Sequence, residues 1–175
     1  MPVFFDIETQ NTFQEVGGHF PERLSISIAV TYDTTDNEFH RYRESDAARL
    51  ALDLSRADLV VGYNLYGFDY PVLQRYTTDV VLAQLPTVDM MLEIQKRLGF
   101  RLKLDSIATA TLKLGKSADG LQAVQWWKEG NISALFKYCE QDVEVTRRVY
   151  EFGKLNRFVE YYDRRFKIQR VPVAW

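Results

Sequence analysis

The sequence is poor in the residues that staple or metallate small domains. Cys139 is its only cysteine, so an intrachain disulfide and a cysteine-based zinc site are both excluded. The two histidines, His19 and His40, stand alone, which argues against a histidine-rich metal centre. No apolar run approaches the roughly 20 residues needed to span a bilayer. The apolar stretch at the N-terminus is too short for a signal peptide and has no basic n-region. A cytoplasmic protein with no membrane contact is therefore expected. Net charge is −2, so no global basic field marks the chain for nucleic acid. Repeats and low-complexity tracts are absent as well.

What remains is an ordinary soluble composition, 46% hydrophobic and 26% charged, with aromatics high at 14%. A length of 175 residues fits one domain, read here as 1–175, with a core over about 2–152 and a C-terminal extension from 153. Charge is unevenly spread. From Arg147 onward eight basic residues face three acidic ones, Glu151, Glu160 and Asp163. Such a run is either a solvated face or a patch for phosphates.

Val3-Phe4-Phe5 reads as a buried strand, and Asp6 and Glu8 follow it two residues apart. Strand side chains alternate, so if the strand continues both carboxylates project to one face. Their repulsion and desolvation call for a divalent cation, and hard oxygen ligands favour Mg²⁺ or Mn²⁺. If the strand ends at Phe5, both are simply solvated in a loop.

Residues 10–23 read as a loop, 24–32 as a half-buried alternating strand, and 38–43 as the next strand of a meander. Ser45 is a candidate cap for a helix over 46–55. Another buried strand is expected at 58–62. Pro71, tolerated in a first helical turn, places Asp69 at a helix N-terminus. A short strand over 85–89 precedes a helix over 90–98 closed by Gly99. Asp89 there is read as a cap rather than a ligand. Helices follow over 104–114 and 121–129.

Asn131 or Ser133 caps a long helix running to Phe152, with Gly153 as its stop. Leu135, Tyr138, Asp142, Val145 and Val149 form an apolar stripe on it, interrupted by one carboxylate. Asp142 then needs a partner, either an arginine or a cation. Cys139 reads as a small packing residue. Residues 158–162 and 166–173 suggest a hairpin around Asp163-Arg164-Arg165. The order of elements points to an antiparallel meander feeding parallel strands through helical crossovers, with helices on both faces.

Three motifs occur in order: D-x-E at Asp6-Ile7-Glu8, N-x-x-x-F-D from Asn64 to Asp69, and Y-x-x-x-D from Tyr138 to Asp142. Together they resemble the DnaQ-like (DEDD) 3′–5′ exonucleases. Lys137, where one branch of that family has histidine, makes the chain similar to the tyrosine branch. Residues 115–124 with Trp126-Trp127 further resemble the YprB-type ribonuclease H-like group. The resemblance implies a ribonuclease H-like three-layer α/β/α fold with a five-stranded mixed sheet. It implies two cations, Mg²⁺ or Mn²⁺, held by Asp6, Glu8, Asp69 and Asp142. Tyr138 would orient the attacking water, and the catalytic set would be Asp6, Glu8, Asp69, Tyr138 and Asp142. The substrate would be the 3′ end of single-stranded DNA or RNA. A polymerase, helicase or repair partner, where there is one, would be a separate protein.

Substrate-facing candidates are Thr9, Asn64, Phe68 and Lys116. Asn64 either binds the strand or braces its turn, and Phe68 either stacks on a base or belongs to the core. Lys116 sits in G-K-S, which is not a P-loop because Ala110 replaces the required earlier glycine. Trp126 and Trp127 either stack on bases or pack. The alternative function is a catalytically weak nucleic-acid-binding or partner-docking module of the same fold. A haloacid dehalogenase-type phosphatase fits only loosely, since Glu8 replaces its second aspartate and Thr9 comes one place early.

Overall fold

A computed structural model describes residues 1–114 and 120–175. Its central strand is β1 (Pro2–Thr9), which continues past Phe5 and carries Asp6 and Glu8 within it. Two further strands, β2 (Ile26–Asp33) and β3 (Glu38–Arg43), extend the sheet antiparallel on one side. Helix α1 (Ala47–Ser55) then crosses to β4 (Leu59–Gly62), parallel to β1 on its other side. Helix α2 (Asp69–Gln74) leads on to β5 (Thr87–Asp89), parallel to β4. The strand order is β3-β2-β1-β4-β5, the five-stranded mixed sheet expected. Then come α3 (Met90–Leu98), α4 (Leu104–Leu112), α5 (Gly120–Lys128) and α6 (Ile132–Asn156), and the strands β6 (Phe158–Tyr162) and β7 (Ile168–Pro172).

The alternation of β1 divides the interior in two. Val3, Phe5 and Ile7 pack against α1 and α2, through Leu50, Leu54 and Leu73. Phe4 faces the other way, with Val143, Val149 and Tyr150 of α6. Asp6 and Glu8 share the parity of Phe4, so they continue that face of β1 beyond its apolar part. The two-sided cover corrects one expectation. β2 is not half-buried: Ser27 and Thr31, read as its solvent face, are as buried as their apolar neighbours.

Among the helix ends, one open cap is decided and two expectations are corrected. Ser45 lies in a 3₁₀ turn, and it is the Asp46 carboxylate that accepts the Arg43 N–H there, at 3.0 Å. Asn131 caps α6, accepting from the Ala134 N–H at 3.2 Å. Gly153 does not stop that helix, which runs on to Asn156 and closes on Arg157 at φ 66°. The glycine makes room for the Trp175 indole instead, because a Cβ at 153 would lie 2.7 Å from it. Trp175 also donates to the Tyr150 carbonyl at 3.0 Å.

The extension from 153 is part of the interior. β6 and β7 form the expected hairpin, and Val159, Val171 and Val173 join the α6-side core. Thr111 of α4 fixes the hairpin edge, accepting from the Glu160 N–H at 2.9 Å and donating to the Glu160 carbonyl at 3.1 Å.

Candidate active site

β1 outruns β4. Their pairing covers only Pro2 to Phe4, so the far half of β1 has an open edge on that side. The chain leaving β4 turns back through Asn64 to Phe68, and the first residue of α2 fills the gap. The Asp69 carboxylate accepts the Ile7 N–H at 3.0 Å, where a longer β4 would have paired. Asp69 is thereby placed beside Asp6 and Glu8. This lies at the carboxyl ends of two parallel strands, the usual place for a ligand in an open α/β sheet.

Helix α6 brings the remaining groups. Its buried stripe runs through Leu135, Cys139, Val143, Thr146 and Tyr150. Tyr138 and Asp142 lie to one side of that stripe rather than on it, which turns both toward the carboxylates of β1. Their side chains hydrogen-bond each other. No arginine pairs with Asp142 among the described residues, so the ion-pair alternative for that residue is set aside. The Cys139 thiol lies 3.5 Å from an Asp6 carboxylate oxygen and donates to it. Asp6, Glu8 and Cys139 offer ligand atoms within 4.8 Å of one another.

Burial governs the electrostatics of these groups, and crowding of like charge adds to it for most of them. Burial and then the charge of Asp142 push the Asp6 carboxyl well above its usual range. Burial, then Asp6, Asp142 and Asp69, do the same to Glu8. Burial and Asp6 raise Asp69, against the pull of the Ile7 N–H. Asp142 is pushed up to about 6, chiefly by burial, with the Tyr138 hydrogen bond opposing. Burial followed by Asp142 and Glu8 raises the Tyr138 phenol, so it stays protonated at neutral pH.

A cleft of about 600 Å³ opens over these groups, lined by Asp6, Glu8, Thr9, Tyr138 and Asp142. Phe13 and Phe68, in edge contact at 5.9 Å, form one wall, and Leu121 and Val124 of α5 form another. The Glu15–Lys128 ion pair, at 2.5 Å, tethers the loop after β1 to α5. Trp126 supports the site from behind, its ring 5.8 Å from that of Tyr138. Asp69 reaches the cluster from below, 2% exposed, and is not part of the cleft lining.

Of the substrate-facing candidates, Thr9 and Phe68 line the cleft and Asn64 does not. Asn64 sits at φ 73° and accepts from the Arg101 guanidinium at 2.8 Å, so the bracing alternative describes it. Lys116 lies outside the described residues. The residue that pattern reading missed is Lys103, which precedes α4 and lines the cleft. No motif flags it.

Asp89 does more than cap α3. It accepts from Leu92 N–H at 3.3 Å, Asn64 N–H at 2.9 Å and Tyr66 N–H at 3.1 Å, and it is buried. It therefore holds the turn that delivers Asp69. Asp89→Ala would orphan three amides, and we expect a loss of roughly 2–4 kcal/mol in stability. Urea unfolding checks this, and a loss below about 0.5 kcal/mol would contradict the latch.

The site's composition, several carboxylates and, among the described residues, no buried counter-cation, suits hard divalent ions. A sequence model of the RNase H superfamily matches residues 3–153, from the first buried residue of β1 into the last turns of α6. A comparison with curated proteins finds no match. The matched span contains every element of the five-stranded sheet and every carboxylate of the cluster, and with it comes nucleic-acid-processing, nuclease-type chemistry: the chain belongs to the RNase H superfamily.

Proposed function

We propose that the chain is a two-metal-ion-dependent 3′–5′ exonuclease of the DnaQ-like tyrosine branch, acting on single-stranded DNA or RNA. The observation that carries this reading is the convergence of Asp6, Glu8, Asp69 and Asp142 beside the Tyr138 phenol. These residues come from β1, α2 and α6, and each carboxylate is raised in pKa by burial, most of them also by one another. A cluster of that kind is poorly stable without cations. Asp6, Glu8, Asp69 and Asp142 would hold them. When bound, they supply the positive charge and Lewis acidity that phosphodiester hydrolysis needs.

The chain's own groups account for the rest. Tyr138 is a neutral donor and acceptor at the cleft, fit to orient a water rather than to remove its proton. Phe68 and Phe13 offer an aromatic wall for the terminal base. Lys103 brings a cation to the rim, within the same lining as the carboxylates. The Cys139 thiol holds one orientation of Asp6 from the core side.

The test is incubation of the purified protein with 3′- and 5′-labelled oligonucleotides, with Mn²⁺, Mg²⁺ or EDTA. Release of labelled mononucleotide from the 3′ end, abolished by EDTA, is the expected result. Internal fragments alone would replace the exonuclease by an endonuclease, and no cleavage in any metal would overturn the enzymatic reading.

A further inference from the structure

A second groove, of about 940 Å³, lies away from the carboxylates. One side is the segment between α3 and α4, with Phe100 and Arg101. The other is the β6–β7 turn, with Tyr162, Arg164, Arg165 and Lys167. Four cations thus face a single carboxylate, Asp163. Both oxygens of Asp163 are already engaged, one by the Arg165 and Lys167 N–H groups at 2.8 and 2.9 Å, the other by Gln169 at 2.9 Å. It folds the turn instead of neutralising it. Arg164 and Arg165 have no acidic partner among the described residues.

Aromatic surface is interleaved with this charge. Phe100 is 48% exposed and Tyr162 40% exposed, and the Phe100 ring stands 6.2 Å from that of Tyr161. At the tip of the turn Phe166 is 86% exposed and held at φ 57°, a strained conformation for a bulky residue. Cations alternating with exposed rings form the chemistry of a single-strand surface, with phosphates on the cations and bases on the rings.

The groove also adjoins the cleft through one continuous segment. Phe100, Arg101 and Leu102 line the groove, and Lys103 lines the cleft. At most about 11 Å of chain separates the first from the last. Arg101 and Leu102 are pinned to the turn before α2, through Asn64 at 2.8 Å and the Tyr63 hydroxyl at 2.8 Å.

We propose that this groove binds the single-stranded nucleic acid several nucleotides away from the end held in the cleft. Its link to the cleft rests on the nuclease reading; its affinity for the strand does not. The test uses the full chain in EDTA, with binding of a fluorescent 20-nucleotide oligothymidylate followed by anisotropy over a salt series. Arg164→Ala/Arg165→Ala is expected to weaken binding at least tenfold, and to reduce the slope of log K against log salt by about 1.4. Phe100→Ala is expected to cost about tenfold with the slope unchanged. Hydrolysis of the p-nitrophenyl ester of thymidine 5′-monophosphate in Mn²⁺, too short to reach the groove, should be the same in all variants. Wild-type protein that fails to bind the oligonucleotide, or variants that bind it within twofold of wild type, would overturn the proposal. Normal binding effects with no hydrolysis of any substrate would remove the nuclease reading and leave the groove standing.

Discussion

Asp6→Asn is expected to lower metal-dependent nucleotide release by roughly 10³-fold or more while the protein stays folded. The substitution keeps shape and removes charge. An amide oxygen still accepts from the Cys139 thiol, and the packing of β1 against α6 is untouched. What is lost is the negative charge of a side chain that lines the cleft with Glu8 and Asp142. Asp142→Asn should behave alike. Tyr138→Phe should be milder, about 10–100-fold, because the phenol orients rather than carries charge. Single-turnover assays on a labelled 3′ end distinguish these cases. Asp6→Asn with activity within tenfold of wild type would mean that the cluster is not the reacting centre. The ordering also matters: Tyr138→Phe falling further than Asp6→Asn would assign the phenol a proton-transfer role, against its raised pKa.

The fold and the cluster differ in how far pattern alone carries. Strand parity makes Asp6 and Glu8 readable as a pair, because a period of two is fixed by the backbone. Pro71 marks Asp69 as a helix start for an equally local reason. Tyr138 and Asp142 are neighbours by helical spacing. Their placement beside a buried stripe, rather than on it, depends on where α6 meets β1, and no spacing rule reveals that. The parts that escaped pattern reading are the non-local ones. Asp89 holds the Asn64 backbone N–H from 25 residues away, and Arg101 reaches the Asn64 side chain from 37. Cys139 is a packing residue by its type, and only the approach of α6 to β1 turns its thiol toward Asp6. Gly153 reads as a helix stop because glycine commonly is one, yet here a C-terminal tryptophan needs the space. Half-burial of β2 fails for a related reason: polar alternation predicts a solvent face, whereas both faces of the strand are covered, Ile28 and Val30 lying on the α6 side and Thr31, opposite Phe5, on the α1–α2 side.

The second large effect concerns stability. Without divalent ions, the protein should become less stable as pH rises from 5 to 8. An acid whose pKa is raised by folding binds its proton more tightly in the native state, so protonation favours folding. That contribution is complete below the unfolded value near 4 and is lost as pH climbs through the folded value, about 6 for Asp142. Asp6, Glu8 and Asp69 are raised as well and act in the same direction. Asp142 alone accounts for at most about 3 kcal/mol between the two limits, or roughly 6–12 °C in Tm for a chain of this size. Cations reverse the trend because they bind the deprotonated cluster, and at a hundredfold excess over Kd they add about 2.7 kcal/mol. Asp142→Asn should therefore be more stable than wild type in EDTA at pH 8, less responsive to Mn²⁺, and nearly inactive. Thermal melts at pH 5 and 8, with EDTA or Mn²⁺, separate these effects. A wild-type Tm in EDTA that rises toward pH 8, in step with the variant, would show that folding does not raise these carboxyls, and the electrostatic case for a shared cation site would fall with it.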